Sequence, residues 1–297
     1  MEKVKLVPIG CKIPNLALMK LSTYYKRNGY EVGLDIDNPN KVIISSPFSF
    51  NKHLVKEEIQ KYKCEIELGG YGINNNKLSY EIEHMMPDYD LFNCDHSMGY
   101  TSRGCIRNCS FCIVQEMEGY IRDNSPISEF YDDRFDQIKL LDNNFLASPN
   151  WESNLQFIID HKLKVDINSG LDIRLVNNYN ANLLSKAKLK PIRFAFDNSK
   201  DKDAVINGIE TLIKVGIKPY RMMVYVLTYP FEFEDAFERF KLLDSYKIDA
   251  FVMIYNNLKI DPQIRAFARW VNKRIHRKCK WENYKYNYPS IKNLDEW

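Results

Sequence analysis

Hydrophobic and polar positions alternate along this 297-residue chain in a repeating strand-then-helix rhythm. Residues 4–9 form an apolar run that predicts a first strand. Residues 16–28 have the spacing of an amphipathic helix and meet a stop signal at Gly29. Residues 30–35 and 41–45 predict two more strands, 52–61 a helix and 64–68 an edge segment, together a small open α/β unit. Gly69-Gly70-Tyr71-Gly72 and Asn74-Asn75-Asn76 carry turn chemistry. Residues 79–96, with Pro87 among them, read as a linker. From residue 98 the rhythm lengthens. Strands are predicted at 98–103, 138–141, 164–168, 192–196, 220–227 and 251–255, and helices at 151–161, 180–187, 203–215 and 234–245. Six strands with helices between them predict a parallel α/β barrel or partial barrel, with ligands at the carboxyl ends of its strands. Asp142-Asn143-Asn144, Asn168-Ser169, Asp197-Asn198 and Tyr255-Asn256-Asn257 stand at four of those ends. Such residues also make turns and helix caps, so each group has two readings, while four on one rim point to a site.

Composition narrows the class. The chain is 45% hydrophobic and 27% charged, enough apolar material for a sizeable core. Its net charge of +3 argues against a strongly basic nucleic-acid coat or an acidic tail. No apolar run approaches the ~18 residues of a membrane span. The opening residues lack a signal-peptide core, so a cytosolic protein with no membrane partner is expected. In that compartment the seven cysteines do not read as a disulfide framework.

The positive excess is local. Residues 261–297 carry 9 basic and 4 acidic side chains, interleaved with Trp270, Trp281, Tyr284, Tyr286 and Tyr288. One reading is an amphipathic closing helix with Ile264, Phe267, Ala268, Val271 and Ile275 on one face. The other is nucleic-acid contact through basic and aromatic groups. The expected organisation is thus 1–97, 98–260 and a C-terminal extension, 261–297.

Three cysteines carry the chemistry. Cys105, Cys109 and Cys112 follow the strand predicted at 98–103 with the spacing C-x3-C-x2-C, and Phe111 precedes the third. Three thiolates this close can converge on one soft metal site. A structural zinc site wants four ligands, usually on two C-x2-C knuckles, and Cys11, Cys64, Cys94 and Cys279 form no second knuckle. A [4Fe–4S] cluster held by three cysteines keeps one open iron.

This motif, on the loop after a first barrel strand, resembles that of the radical S-adenosylmethionine (SAM) superfamily, and the resemblance covers residues 98–257. It implies a partial (β/α)6 barrel with Cys105, Cys109 and Cys112 as ligands of a [4Fe–4S] cluster. The open iron would chelate the amino and carboxylate groups of SAM, and reduction would cleave SAM to a 5′-deoxyadenosyl radical that acts on a substrate the sequence does not name. An electron donor such as flavodoxin or ferredoxin is implied as well. By the same resemblance Phe111 lies against the adenine. Asp142, Asn143 and Asn144 occupy the position of a Gly-Gly-Glu-like element that holds the SAM amino group; here an Asp or Asn oxygen would do so. Arg174 is a partner for the SAM carboxylate or else part of a surface salt bridge. Asp197 reaches the ribose hydroxyls or else caps the following helix.

The N-terminal unit resembles, more weakly, the Rossmann-like domains of two radical SAM subfamilies. Residues 13–22 followed by Gly29-Tyr30-Glu31-Val32 have the shape of a B12-binding-like domain. The Asp-x-His-x-x-Gly motif is missing, which argues against histidine-ligated cobalamin. Gly10-Cys11-Lys12 resembles the opening of methylthiotransferases, which modify tRNA or a ribosomal protein. Ser45-Ser46 stands where those enzymes have a second cysteine, which removes a ligand of their auxiliary cluster. A methylthiotransferase-like enzyme acting on nucleic acid and a non-enzymatic iron–sulfur protein are the alternatives.

Overall fold

The computed structural model describes residues 1–74, 76–230, 232–255 and 261–285. Asn256, Asn257, Tyr286 and Tyr288, singled out above, lie outside them. The N-terminal unit runs β1 (Lys3–Pro8), α1 (Leu16–Arg27), β2 (Glu31–Gly33), β3 (Lys41–Ser45), α2 (Lys52–Ile59) and β4 (Glu65–Gly69). Its four strands are parallel in the order β2-β1-β3-β4. The central strand β3 buries Val42, Ile43 and Ile44 in succession, because helices and connections cover both faces of a parallel sheet. Helix α1 starts where the Asn15 side chain accepts the Leu18 N–H at 3.2 Å, and it buries Leu16, Leu18, Met19 and Leu21. Gly29, with φ +82°, turns the chain away after it.

Residues 79–96 are packed, not a loose linker. They contain α3 (Tyr80–Glu83), and Ile82, Leu91 and Phe92 pack on the Val4 and Leu6 cluster. Tyr89 is buried, and its hydroxyl accepts the Met98 N–H at 3.0 Å. The connection is thereby fixed to the first strand of the following unit.

That unit runs β5 (Ser97–Gly99), β6 (Ser102–Arg103), α4 (Val114–Met117), β7 (Arg122–Asp123), β8 (Gln137–Leu140), α5 (Trp151–Asp160), β9 (Lys164–Ile167), α6 (Asn178–Lys186), β10 (Lys188–Leu189), β11 (Ile192–Ala195), α7 (Lys202–Lys214), β12 (Met222–Thr228), α8 (Phe233–Ser245), β13 (Asp249–Ile254) and α9 (Pro262–Asn272). The strand predicted at 98–103 is broken: β5 pairs parallel with β8, whereas β6 pairs antiparallel with β7. Two parallel sheets result, β10-β9-β8-β5 and β11-β12-β13. They adjoin where β10, paired with β9, leads directly into β11, paired with β12. Beside that junction the Leu171 N–H donates to Arg193 O at 2.8 Å. Gly170, with φ +93°, makes this approach feasible, since a Cβ there would stand 2.7 Å from Arg193 O. The protein is a mixed α/β fold with parallel sheets. Among the described residues the sheets do not close into a complete barrel.

One hydrophobic cluster runs from Ile127 to Val271 beneath both sheets. Helix α9 completes it: Asp261 caps the Gln263 N–H at 3.0 Å, and Ile264, Phe267, Ala268, Trp270 and Val271 are buried. Trp281 stacks on Phe233 with centroids 5.1 Å apart, and the Trp270 indole donates to Cys279 O at 2.8 Å. Trp270 and Trp281 therefore pack into or against the core and do not present free stacking faces to a nucleic acid. Arg274 and Arg277 both pair with Asp249. Among the described residues no helix is long and apolar enough to cross a membrane.

Candidate functional site

The cysteine loop connects β6 to β7, and its two ends are tied together. Gly104 has φ +81°, and a Cβ there would stand 2.4 Å from Tyr120 O, so only glycine fits. Cys105 N donates to Gly119 O at 3.2 Å. Inside the loop, Gln115 donates its side-chain amide to the carbonyls of Cys105 and, at 2.9 Å, Arg107. Cys105 and Cys109 are half-buried and Cys112 is exposed.

Glu118 is the loop's central anchor. One carboxylate oxygen accepts Gly104 N at 2.9 Å and Asn143 Nδ2 at 2.7 Å. The other accepts Arg103 Nη1 at 3.2 Å and, from the N-terminal unit, Tyr71 Oη at 3.0 Å. Burial would raise this carboxyl's pKa, but the Arg103 charge and the hydrogen bonds hold it below the ordinary value.

Strand ends supply the wall. Asp142, at the end of β8, is buried and turned toward the start of the loop. It accepts Thr101 N at 3.2 Å, Thr101 Oγ1 at 2.6 Å, Ser102 N at 2.6 Å and Ser102 Oγ at 2.7 Å. This competition for backbone N–H groups breaks the 98–103 strand. Burial pushes the Asp142 carboxyl above its usual range despite those bonds. Asn143 is held by Glu118. Asn144 is buried, its Nδ2 lies 3.6 Å from Cys105 Sγ, and its Oδ1 has no hydrogen-bond partner. A buried acceptor without a donor costs free energy, so this oxygen is poised for one from outside.

Across the loop, Asp172 joins two arginines. Arg107 Nε bonds it at 2.8 Å, and Arg174 Nε bonds it at 2.7 Å. Arg174 also reaches Asp201 at 3.1 Å. Burial would raise the Asp172 carboxyl, but Arg174 and Arg107 hold it low. The Cys109 thiol is pushed up by burial, and the Arg174 charge opposes that rise. Arg174 is thus ion-paired and also electrostatically close to Cys109. Asp197, at the end of β11, caps no helix; it accepts Leu227 N at 3.1 Å, and Asn198 caps the next turn. Burial raises the Asp197 carboxyl. Phe111 is half-buried within the loop.

Of the strand-end residues, Asp142, Asn143 and Asn144 meet the cysteine loop by hydrogen bonds, with Asp142 facing its backbone rather than outward. Asp172, Arg107, Gln115 and Glu118 were not singled out in the sequence. Only the spacing of Gly104, next to the first cysteine, offered a signal. Among the described residues no three His, Cys, Asp or Glu side chains are gathered closely enough to enclose a metal ion. The donor set nevertheless suits a soft-metal cluster: three thiols on one loop, with two N–H groups near Cys105 Sγ, Arg107 N at 3.3 Å and Asn144 Nδ2.

A separate cavity of about 710 Å3 lies between the carboxyl ends of β1, β3 and β4 and the β6–β7 hairpin. Cys11, Asn15, Tyr71, Tyr100, Arg103 and Asn124 are among its lining residues; the loop cysteines are not. The Arg103 guanidinium lies 3.4 Å over the Tyr100 ring and pairs with Glu83 at 3.3 Å, which Lys20 also meets at 3.1 Å. No protein-family model matches the chain, and no curated protein matches it in sequence.

Proposed function

We propose that the protein is a radical SAM enzyme whose cluster is held by Cys105, Cys109 and Cys112. Support comes first from one observation: the three-thiol loop faces a buried Asn144 whose carboxamide oxygen lacks a donor while its nitrogen points to Cys105. In this reading β5, β8, β9, the β10–β11 run, β12 and β13 are the six strands of an open (β/α)6 barrel. A [4Fe–4S] cluster held by these thiols would supply the electron that cleaves SAM to a 5′-deoxyadenosyl radical.

The chain's own groups do the holding. Asn144 Oδ1 accepts from the SAM ammonium, in place of Asp142, whose oxygens are committed to Thr101 and Ser102. Arg174 spends three of its five N–H donors on Asp172 and Asp201, leaving two for the carboxylate. Asp197 keeps one oxygen on Leu227 N and offers the other to a ribose hydroxyl. Phe111 covers the adenine. Glu118, Gln115 and Gly104 fix the loop, so that the thiols need little rearrangement to converge.

The test is anaerobic reconstitution of the full chain, with iron and sulfide analysis followed by incubation with dithionite and SAM. Four irons per chain, lost on Cys105→Ala, Cys109→Ala and Cys112→Ala, together with release of 5′-deoxyadenosine, are expected. Zinc at one per chain would overturn the reading. A cluster without SAM cleavage would reduce the protein to an iron–sulfur carrier.

A further inference from the structure

The carboxyl edge of the N-terminal sheet exposes rings and cations together. Phe48 and Phe50 follow β3 and are stacked on each other, with centroids 5.1 Å apart and planes 12° apart. Phe50 is 71% exposed and Phe48 46%. Ile13, on the loop after β1, is 52% exposed. The loops that carry these residues are interlocked, not trailing. A Cβ on Gly72 would stand 2.4 Å from Phe48 O, and one on Gly10 would stand 1.9 Å from Asn51 Nδ2.

Lys12, on the loop after β1 that packs against Asn51, and Lys52 and Lys56, on the helix that follows Phe50, are exposed and have no ion pair among the described residues. Lys52 and Lys56 share one face of α2 at i, i+4 spacing, whereas Glu57 points about 100° further round the helix. Exposed flat rings with uncompensated cations between them suit stacked bases on a charged backbone. The core of a protein interface is depleted of lysine, and three unpaired lysines stand among these rings.

We propose that this edge binds single-stranded nucleic acid, with bases on Phe48 and Phe50 and phosphates on Lys12, Lys52 and Lys56. A single strand is required because bases in a duplex hide their faces. Tyr71, 38% exposed, continues the edge and bonds Glu118 of the cysteine loop, so a strand lying here runs toward that loop. The proposal goes beyond the reading of the cysteine loop and does not rest on it. Binding is measured without cluster or SAM, so each reading can fail alone.

The experiment is fluorescence anisotropy of the full chain with a labelled oligouridine of about 12 nucleotides, within the usual single-strand footprint. The DNA counterpart and a duplex of equal length are run in parallel. Three neutralised phosphates predict a log–log salt slope of about −2. Phe48→Ala and Phe50→Ala should each weaken binding about tenfold. Both rings are exposed, so folding is retained, and circular dichroism checks this. Changing Lys12, Lys52 and Lys56 together to Gln should remove most of the salt slope. Tighter binding of the RNA or of the DNA strand identifies the natural sugar. No binding at low salt, duplex bound as tightly as single strand, or ring variants equal to wild type would each overturn the proposal.

Discussion

Replacing Glu118 with Gln tests whether one carboxylate organises the cysteine loop. The substitution keeps shape and removes charge. With its amide nitrogen placed where the Gly104 and Asn143 donors now point, the side chain would set two donor pairs against each other. The opposite orientation costs less: the oxygen keeps Gly104 N and Asn143 Nδ2, and the nitrogen donates to the Tyr71 hydroxyl but opposes Arg103 Nη1. The loss is one charge-assisted bond plus part of an ion pair that Glu83 still shares. That amounts to about 2 kcal/mol, and Glu118→Ala, which removes every acceptor, should cost about 4. The assay is hydrogen exchange by mass spectrometry over residues 104–119, with a urea melt as a check on the whole fold. A local loss of ~2 kcal/mol speeds exchange of the Gly104 and Cys105 amides about 30-fold. If Glu118→Gln exchanges within about twofold of wild type in that segment, Glu118 is not the anchor and the reasoning fails.

Three further outcomes are expected. Glu83, Glu118 and Asp172 all have pKa values below their ordinary ones in the folded protein. The stability they contribute is complete above about pH 4.5 and is lost as pH falls through the depressed folded values; urea midpoints at pH 6 and pH 3 should therefore differ, and differ less in Asp172→Asn. Gly104→Ala places a side chain at positive φ against the Tyr120 carbonyl, costing about 2–4 kcal/mol. It should raise the reaction rate of the loop cysteines with a thiol reagent, and an unchanged rate would show that the loop does not depend on that turn. Asn144→Leu removes a partnerless acceptor and one weak contact to sulfur, so the unfolding free energy from a urea melt should change by under ~1 kcal/mol while SAM cleavage falls at least tenfold. Full cleavage by this variant would refute the assigned role of Oδ1.

The parts of the fold legible in the sequence were those set by local periodicity. Residues 41–45 read as a strand, which the structure buries at Val42, Ile43 and Ile44, and the helical face of Ile264, Phe267, Ala268 and Val271 reads as the closing helix. The break between β5 and β6 was not legible. Its cause is Asp142, 40 residues further along the chain, whose carboxylate takes the N–H of Ser102. The cysteine spacing was visible because its ligands lie close in sequence. Its supports were not: Glu118 joins Tyr71 to Asn143, and Asp172 joins Arg107 to Arg174, each across distances that no local pattern encodes. Trp281 shows the same limit, since an aromatic among basic residues has no local mark that it will stack on Phe233.

The bond from Tyr71 to Glu118 has a thermodynamic consequence. It joins the sheet edge of one unit to the anchor of the cysteine loop in the other. Any ligand that shifts Tyr71 must change the stability of the loop, and whatever settles on the loop must change affinity at the edge by the same factor. The coupling is bounded by what that hydroxyl contributes, about 1 kcal/mol or roughly fivefold. The sheet edge and the cysteine loop are thus reciprocal sensors of each other's occupancy, and Tyr71→Phe would weaken that coupling while the Arg103 bridge from Glu118 to Glu83 remains.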